Sequence, residues 1–358
     1  MKVVIAICAY NEEQYIVASL KAAIETANQI GAKIVVSLNT STDATSALAK
    51  QALKCHEEHC DLIQQDLYLD AASHFRWLVS YVLTNHSPDY IIWCGADDLL
   101  LSGFHKIAQA MALRDYGRNR QKIYIGNYLQ IDKVGAQIGS VSLRYKQYFS
   151  TKLRSLSSIS RGRVPNMNGS WLPSLVYQEY LAEAFDQDGT CKFSSTASDF
   201  YIWWMGAVRF PFVYQDLAQV AYRVNHHQVR PWQRSQIQIF KGQLEFVDWL
   251  ITSQLIRLHQ LNINMPINGI SKFIDSLWLK AFSSFDAQDI MTLFDYWKPK
   301  TGFCVQLVAM TYKNNNFLGR VLSKVTISIN QWPRRLGKIL LESALFRSNI
   351  HFIYHLWR

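Results

Sequence analysis

Two adjacent carboxylates, Asp97 and Asp98, are the side chains in this sequence best suited to binding a metal ion. They follow the apolar run 91–96 directly and precede Leu99 and Leu100. A short apolar run of this kind is typical of a buried strand in a parallel sheet. Open α/β sheets bind ligands at the carboxyl ends of such strands. Because adjacent carboxylates repel each other, a hard divalent cation carrying phosphate oxygens is a suitable counter-charge.

A purely structural role for this pair is the alternative. Residues 102–113 have a helical pattern, and aspartate is among the preferred residues for capping the amino end of a helix. The pair would then stabilise that helix and bind nothing. The surrounding sequence has to decide between the two interpretations.

The elements around the pair follow an alternating pattern. Apolar runs of five to seven residues predict strands, and the longer amphipathic segments between them predict helices. In chain order these elements cover residues 2–8, 11–29, 33–38, 45–55, 61–65, 70–83 and 91–96. Asn11 is the predicted cap of the first helix, with Glu12 and Glu13 in its first turn and Gly31 at its end. This order predicts an α/β fold with a mostly parallel sheet flanked by helices.

Composition narrows the function further. The chain has 358 residues and a formal charge of +10; residues 1–143 hold 12 basic and 14 acidic side chains, so the basic excess lies wholly in 144–358. This predicts an anionic partner for the second part.

The motifs of two large enzyme classes are missing from the sequence. It has neither the glycine motif of NAD-dependent enzymes nor the P-loop of ATPases, which argues against both classes. Residues 55–60 (Cys-His-Glu-Glu-His-Cys) lack the spacing of a zinc site. No signal peptide or membrane span is expected, and a cytoplasmic location fits free thiols at Cys8 and Cys94.

Three short segments carry a resemblance to one enzyme family. Ala-Tyr-Asn-Glu-Glu at 9–13 resembles the Pro-x-Tyr-Asn-Glu opening of family 2 glycosyltransferases, which are inverting enzymes with the Rossmann-like GT-A fold. Asn-Thr-Ser-Thr-Asp-Ala-Thr at 39–45 resembles the turn after that family's second strand. Gly-Ala-Asp-Asp at 95–98 resembles its Asp-x-Asp-type metal motif. The resemblance covers about residues 1–230.

The resemblance implies roles for residues of the first half. Asp98 would coordinate Mg²⁺ or Mn²⁺, and Asp97 would contact the ribose or the water shell of the metal. Arg76, on the helix before the metal strand, would lie near the phosphates. Four residues at the carboxyl ends of the first two strands would frame the nucleoside: Tyr10, Glu12, Asn39 and Asp43. The family often has aspartate where Leu38 or Asn39 stands here, and an acid where Gly95 stands.

The second half adds predicted acceptor-side elements. Residues 122–131 and 138–145 have the pattern of further strands. Residues 144–163 are predicted to form an irregular basic loop. This loop either closes over a diphosphate or an anionic acceptor, or is a solvated surface loop without a ligand. Residues 166–171 and 194–203 resemble the family's acceptor-lining segment and its general-base block. Asp199 would be the catalytic base. Arg223 and His226 fall in a segment similar to the family's Tyr-Arg-x-His, and are expected to contact the diphosphate and the metal respectively.

The expected organisation is therefore a catalytic domain over residues 1–230, with a donor half (1–100) and an acceptor half (101–230). A helical C-terminal extension covers 231–358. Residues 331–358 combine five basic side chains with scattered apolar ones, which is consistent either with peripheral contact to an anionic membrane or with packing on the catalytic domain or a second subunit.

The main hypothesis is a metal-dependent inverting glycosyltransferase. It moves a sugar from a nucleotide-diphosphate donor to a hydroxyl of an anionic, glycan or lipid-linked acceptor, in the assembly of a bacterial surface polysaccharide, a capsule or lipopolysaccharide. One alternative is a catalytically silent protein of the same fold that binds glycan or membrane. A nucleotidyltransferase is disfavoured because it needs a glycine-rich loop and a lysine after the first strand. Nucleic-acid binding is disfavoured because only the net charge suggests it and the sequence contains no nucleic-acid-binding motif.

Overall fold

A computed structural model of the chain describes residues 1–104, 106–109, 121–141, 152–160, 163–185, 198–224, 232–250 and Gln254. These residues all belong to the first of two compact units, Met1–Ile270; the second, Ser271–Arg358, lies outside the described residues. None of the described helices combines the length and apolarity needed to cross a bilayer.

Strands and helices alternate through the described part of the chain. The strands are β1 (Val3–Ala9), β2 (Lys33–Leu38), β3 (Cys60–Gln64), β4 (Tyr90–Gly95), β5 (Leu99–Leu100), β6 (Ile123–Ile131), β7 (Gln137–Val141), β8 (Trp171–Pro173) and β9 (Phe212–Arg223). The helices are α1 (Ile16–Ile30), α2 (Thr45–Leu53), α3 (Ala71–His86), α4 (Lys152–Ile159), α5 (Ser174–Ala184), α6 (Ser198–Arg209) and α7 (Trp232–Trp249).

One sheet joins the strands of the described residues in the order β3-β2-β1-β4-β8-β6-β9-β5, with β7 paired to β6. The strands β3, β2, β1 and β4 are all parallel, with Ile5 opposite both Ile34 and Ile92. Beyond them the sheet is mixed, because β8 runs antiparallel to β4, and β5 antiparallel to β9. The predicted α/β fold is confirmed; besides the parallel pairs of the first hundred residues, β6 pairs in parallel with β9.

The parallel half forms because its strands are apolar on both faces. Ile5, Ile7, Val36 and Ile92 are all essentially inaccessible to solvent, as expected of strands covered by helices on each side. Helix α1 ends where predicted: Gly31 takes a left-handed conformation with φ 65°, and its N–H donates to the carbonyl of Ala27.

The predicted start of α1 is wrong. The helix begins at Ile16, so Glu12 and Glu13 are not in its first turn and Asn11 is not its cap. Asn11 instead has φ 55°, a left-handed conformation that asparagine tolerates better than most residues. Its Oδ1 accepts a hydrogen bond from the N–H of Thr42 at 2.8 Å, so the side chain joins two loops.

The prediction of an irregular loop over 144–163 is also wrong for its central part. Residues 152–159 form α4, which packs against α6. Leu156 and Ile159 are fully buried, and Ser155 and Ser158 are buried with them. The small serines on the inner face of α4 hide its helical period from a search for apolar residues. Residues 144–151 and 161–162 of that basic segment lie outside the described part of the chain.

Helix α7 is the described part of the region predicted as a C-terminal extension. Phe246 of α7 meets Phe200 and Tyr201 of α6, with ring centroids 5.3 Å and 5.2 Å apart. The packing lies within Met1–Ile270. The division of the chain at residue 230 stays a prediction.

Substituting Leu156 by alanine tests the buried helix α4. We expect Leu156→Ala to lower the free energy of unfolding by about 2–5 kcal/mol, since it removes a fully buried leucine side chain. Leu175→Ala, at a position 39% exposed on α5, should change it by no more than about 0.5 kcal/mol. Urea denaturation followed by circular dichroism measures both. Equal stability of the two variants would contradict the packing of α4.

Candidate active site

The loops that follow β1 and β2 are held together by reciprocal hydrogen bonds. The N–H of Glu12 donates to Thr45 Oγ1 at 2.7 Å, and the N–H of Glu13 donates to Asp43 Oδ2 at 3.1 Å. In return, Glu13 Oε2 accepts from the N–H of Ala44 at 3.0 Å. These bonds place the predicted donor residues at one edge of the sheet, at the carboxyl ends of β1 and β2.

Asp43 supports this loop pair. Burial favours the neutral acid, but hydrogen bonds from Thr45 and Glu13 outweigh it and hold the pKa of Asp43 below its usual 3.8. The carboxylate therefore stays charged while it accepts the N–H groups of both loops. Its predicted contact with a nucleoside stays a prediction.

The side-chain amide of Asn39 also forms hydrogen bonds within the protein. It is 2% exposed, and its Nδ2 donates to the carbonyl of Leu69 at 2.7 Å while its Oδ1 accepts the Leu69 N–H at 3.0 Å. This amide fixes the loop that follows β3. Tyr10, by contrast, is exposed, with its ring edge-on to Tyr68 and the centroids 5.3 Å apart.

The carboxylate of Asp98 is buried at the end of β4 and is held from two distant segments. Its side chain is 1% exposed; Oδ1 accepts the N–H of Arg223 at 2.7 Å, and Oδ2 accepts Nδ2 of Asn168 at 2.5 Å. Burial, and next the charge of Asp97, raise the pKa of Asp98 to about 8. The interpretation of the pair as a helix cap is wrong, because the strand β5 follows directly.

Gly95 explains how the two carboxylates fit side by side. A Cβ atom at position 95 would come within 2.5 Å of Asp97 Oδ1 and 3.1 Å of Asp98 Oδ2. Both carboxylates therefore converge on the space that the missing side chain leaves. An acid at position 95, as the family often has, would require this arrangement to change.

Arg223 braces the loop that carries both carboxylates. Its Nε donates to the carbonyl of Asp97 at 2.9 Å and its Nη1 to that of Asp132 at 2.7 Å. The guanidinium also lies 4.3 Å from the ring centre of Tyr15. Arg223 is 5% exposed, so the structure shows it as a positioning residue for the loop. Its predicted contact with a diphosphate stays a prediction.

Asp199 is the second residue of α6, where the sequence places it, at the wall of a cleft. The side chain is accessible from the cleft, but protein surrounds it closely, and the resulting loss of hydration raises the pKa of its carboxyl to about 6. The preceding residue is fixed, since Ser198 Oγ accepts from the hydroxyl of Tyr180 at 3.0 Å. A pKa near 6 suits a carboxylate that takes up a proton at neutral pH.

A cavity of about 310 Å³ connects Asp199 with the surroundings of Asp98. Asn168 lies in its wall and touches Asp98 directly. The residues lining the cavity are Trp93, Tyr128, Val164, Pro165, Asn166, Met167, Asn168, Asp199 and Tyr222. The base inferred from the resemblance therefore lines a cavity whose wall, at Asn168, contacts the carboxylate of Asp98.

Two residues of this cleft have no role in the sequence-based assignment. Asn168 bridges β4 and the acceptor-side segment, because its Oδ1 also accepts the N–H of Gly95 at 3.0 Å. Tyr222 lies where the charges of Asp98, Asp97 and Asp199 all act on its hydroxyl. Both fall in segments noted for their resemblance, and only their three-dimensional neighbours single them out.

Of the two remaining predicted residues, the structure describes only Arg76. Arg76 is on α3, with its guanidinium 4.9 Å from the ring centre of Phe185, and it is not part of the cavity wall. His226 lies outside the described residues, so its predicted place beside the metal stays a prediction.

The carboxylate pair is chemically suited to a divalent cation. The described residues contain no cluster of three or more histidine, cysteine, aspartate or glutamate ligands. Magnesium, however, is usually held by one or two carboxylates together with substrate phosphates and water. Asp97 and Asp98 offer hard oxygen ligands of this kind, side by side at Gly95.

Comparisons with known proteins find one matching family and several solved structures of similar fold. The model of the family described as Glycosyl transferase family 2 matches residues 4–169. No curated protein sequence matches the chain. The crystal structure of S. aureus TarS 1–349 in complex with UDP-GlcNAc matches with a TM-score of 0.57 and 12% identity, over 84% of this chain and 82% of that one.

The crystal structure of S. aureus TarS matches with a TM-score of 0.53 and 12% identity, covering 85% of this chain and 50% of that one. This chain therefore spans about half the length of that protein. At such low identity, both similarities establish the shared fold.

Asn168→Ala tests whether this amide positions Asp98. Loss of a side chain that orients a metal ligand typically costs roughly 10–100-fold in metal affinity, and we expect a loss of that size. Titration of Mn²⁺, followed by electron paramagnetic resonance of the free ion with and without a nucleoside diphosphate, measures it.

Asn127→Ala is the matched control, because Asn127 bonds Asp216 and Tyr214 in an exposed cluster. It should bind Mn²⁺ as the wild type does. Wild-type affinity in Asn168→Ala would show that the amide does not position Asp98.

Proposed function

We propose that this chain is a metal-dependent, inverting glycosyltransferase, because the model of Glycosyl transferase family 2 matches residues 4–169. It transfers a sugar from a nucleotide-diphosphate donor to a hydroxyl group of a glycan or lipid-linked acceptor. Assembly of a bacterial surface polysaccharide, such as a capsule or lipopolysaccharide, is the setting that the resemblance suggests. The complex of TarS 1–349 with UDP-GlcNAc supports a nucleotide sugar as the donor.

One observation carries the proposal: the cavity beside Asp199 reaches Asn168, the residue that holds the carboxylate of Asp98. Asn168 contacts Asp98 and lines the same cavity as Asp199. Transfer of a glycosyl group needs the leaving diphosphate on one side of the reacting carbon and a base on the other. In this proposal, Asp97 and Asp98 serve the diphosphate side and Asp199 serves the base side.

The donor side rests on Asp97 and Asp98, which would hold Mg²⁺ or Mn²⁺. When bound, such an ion offsets the negative charge that develops on the departing diphosphate. Asp98 is fixed for this role by two N–H donors, from Arg223 and Asn168, and Arg223 holds the loop through the carbonyl of Asp97. The carboxylates therefore need little rearrangement when a ligand arrives.

The acceptor side rests on Asp199. Its carboxylate takes the proton of the acceptor hydroxyl as the oxygen of that hydroxyl bonds to the anomeric carbon. The bond from that carbon to the diphosphate oxygen breaks on the opposite face, and the nucleoside diphosphate leaves with the electron pair. Attack from the face opposite the leaving group inverts the configuration. A positioned base of this kind commonly contributes roughly 10²–10⁴-fold to the rate.

Release of nucleoside diphosphate from a panel of UDP-, GDP-, CDP- and dTDP-sugars with Mg²⁺ or Mn²⁺ tests the proposal. We expect one nucleotide class to be turned over, and Asp98→Asn to abolish that turnover. Asp216→Asn, at an exposed aspartate of the Asn127 cluster, serves as the control and should retain wild-type activity. Turnover that survives in Asp98→Asn, or no turnover of any donor, would contradict the proposed function.

The raised pKa of Asp199 predicts the pH dependence of transfer. The base acts only when deprotonated, so at saturating metal and donor the rate should be half-maximal near pH 6, level off above about pH 7 and fall about tenfold per unit below about pH 5. We expect Asp199→Asn to lower the transfer rate by roughly 10²–10⁴-fold at pH 7. A pH–rate profile of wild type and variant measures both effects.

The stability of Asp199→Asn shows whether its loss of activity comes from the missing base or from unfolding. Because the pKa of Asp199 is higher in the folded chain than its usual 3.8, ionisation costs stability as the pH rises from about 4 to 6. Asp199→Asn removes that cost, so the variant should be at least as stable as the wild type at pH 7. A variant that is inactive because it unfolds would contradict this assignment.

A further inference from the structure

A buried tyrosine of α5 holds the first turn of α6, the helix that carries Asp199. Tyr180 is 1% exposed, and its hydroxyl donates a hydrogen bond to Ser198 Oγ at 3.0 Å. Ser198 is the first residue of α6 and directly precedes Asp199. Because the direction of a side chain follows the backbone that carries it, this bond affects where the carboxylate of Asp199 points.

Two neighbouring rings fix the ring of Tyr180. Phe75 of α3 meets it edge-to-face, with centroids 5.7 Å apart and planes at 78°. Phe185 meets it at 5.9 Å and 89°. Both neighbours are buried, and edge-to-face contact is a preferred geometry of aromatic pairs. Since the ring is held by both contacts, its hydroxyl has little freedom to move away from Ser198.

The same rings reach the strand that ends at the carboxylate pair. Phe75 also packs on Trp93 of β4, with centroids 4.6 Å apart. Trp93 lies in the wall of the cavity that Asp199 lines. The rings of Trp93, Phe75 and Tyr180, here called the aromatic bridge, therefore form a continuous contact from β4 to the first residue of α6. This contact relates the position of the base to that of the metal-binding strand.

The carboxyl group of Asp199 lies close to α5. Burial, and next the charge of Asp199, raise the pKa of the hydroxyl of Tyr177, which is fully buried on α5 one turn before Tyr180. The ring of Tyr177 also lies near Phe75, with centroids 6.3 Å apart. The base thus lies beside the helix that carries Tyr180, and a shift of α6 along α5 would move it relative to the cavity.

We propose that Tyr180 is a positioning residue for the catalytic base. Its hydrogen bond to Ser198, supported by the aromatic bridge, keeps the first turn of α6 where the carboxylate of Asp199 reaches the cavity. The inference rests on the proposed function and adds to it a residue that acts through Asp199. A general base must come within about 2.6–3.2 Å of the proton it takes, and a misplacement of about 1 Å can cost about 10²-fold in rate.

Tyr180→Phe tests the inference, because it removes the hydroxyl and keeps the ring of the aromatic bridge. The assay follows release of nucleoside diphosphate at pH 7 from the UDP-, GDP-, CDP- or dTDP-sugar that the wild type turns over, with water in place of the acceptor. We expect kcat to fall by roughly 10–100-fold. KM for the donor should stay unchanged, since the carboxylate pair is not altered.

Ser198→Ala removes the acceptor of the same hydrogen bond. We expect it to lower kcat at least as much as Tyr180→Phe does. Introducing Tyr180→Phe into Ser198→Ala should then cause no further loss, because the interaction is already absent. This double-variant comparison separates the hydrogen bond from any other effect of the tyrosine hydroxyl.

Tyr90→Phe is the matched control for loss of a buried tyrosine hydroxyl. Tyr90 is 4% exposed, and its hydroxyl accepts the N–H of Lys122 at 3.2 Å at the start of β4, the end of the strand away from the carboxylate pair. It should lower the melting temperature about as much as Tyr180→Phe and retain the wild-type kcat. Thermal unfolding followed by circular dichroism on the same samples measures stability.

Three results would overturn the inference. The first is a wild-type kcat in Tyr180→Phe, and the second is a rise in donor KM in place of a fall in kcat. The third is a full further loss when Tyr180→Phe is added to Ser198→Ala. A wild type that turns over no donor would contradict the proposed function and this inference together. An active wild type with an equally active Tyr180→Phe would contradict the inference alone.

Discussion

The buried carboxylate of Asp98 is the constraint on which the rest of the site depends. A carboxylate that is 1% exposed loses most of its hydration, and Asp97 adds a second negative charge beside it. The fold compensates with two N–H donors that lie 70 and 125 residues further along the chain, in Asn168 and Arg223. The parallel half and the mixed half of the sheet must therefore meet at this point. In the proposed function, a divalent cation completes this compensation.

The polar residues around this point divide into two groups. Asn39, Asp43 and Arg223 use their hydrogen-bonding groups on backbone atoms of neighbouring loops. They fix the loops on which Tyr10 and Asp97 stand, and so shape the site. Asp199 lies in the wall of the cleft, where a ligand reaches it. The family resemblance pointed to both groups alike. The three-dimensional contacts distinguish the residues that hold loops in place from the one that lines the cleft.

Sequence patterns predicted the parallel half well, because its strands are continuous apolar runs and Gly31 marks a helix end without ambiguity. They failed where side chains serve distant partners. Asn11 has the composition of a helix cap, yet it bonds a loop 31 residues away. Helix α4 was missed because serines occupy its buried face. Asn168 and Tyr222 gave no local signal, since their place in the cleft arises from strand pairing between remote segments.

Isothermal titration of the full chain with UDP, GDP, CDP and dTDP, with and without Mn²⁺, tests the central claim most directly when it is repeated on Asp98→Asn. We expect one nucleotide to bind in a Mn²⁺-dependent manner and the substitution to abolish that dependence. Binding that is equally strong without the metal, or unchanged in Asp98→Asn, would contradict the assignment of the buried carboxylate as the anchor of the donor site. Absence of binding for all four nucleotides would favour a protein that keeps this fold without the catalytic function.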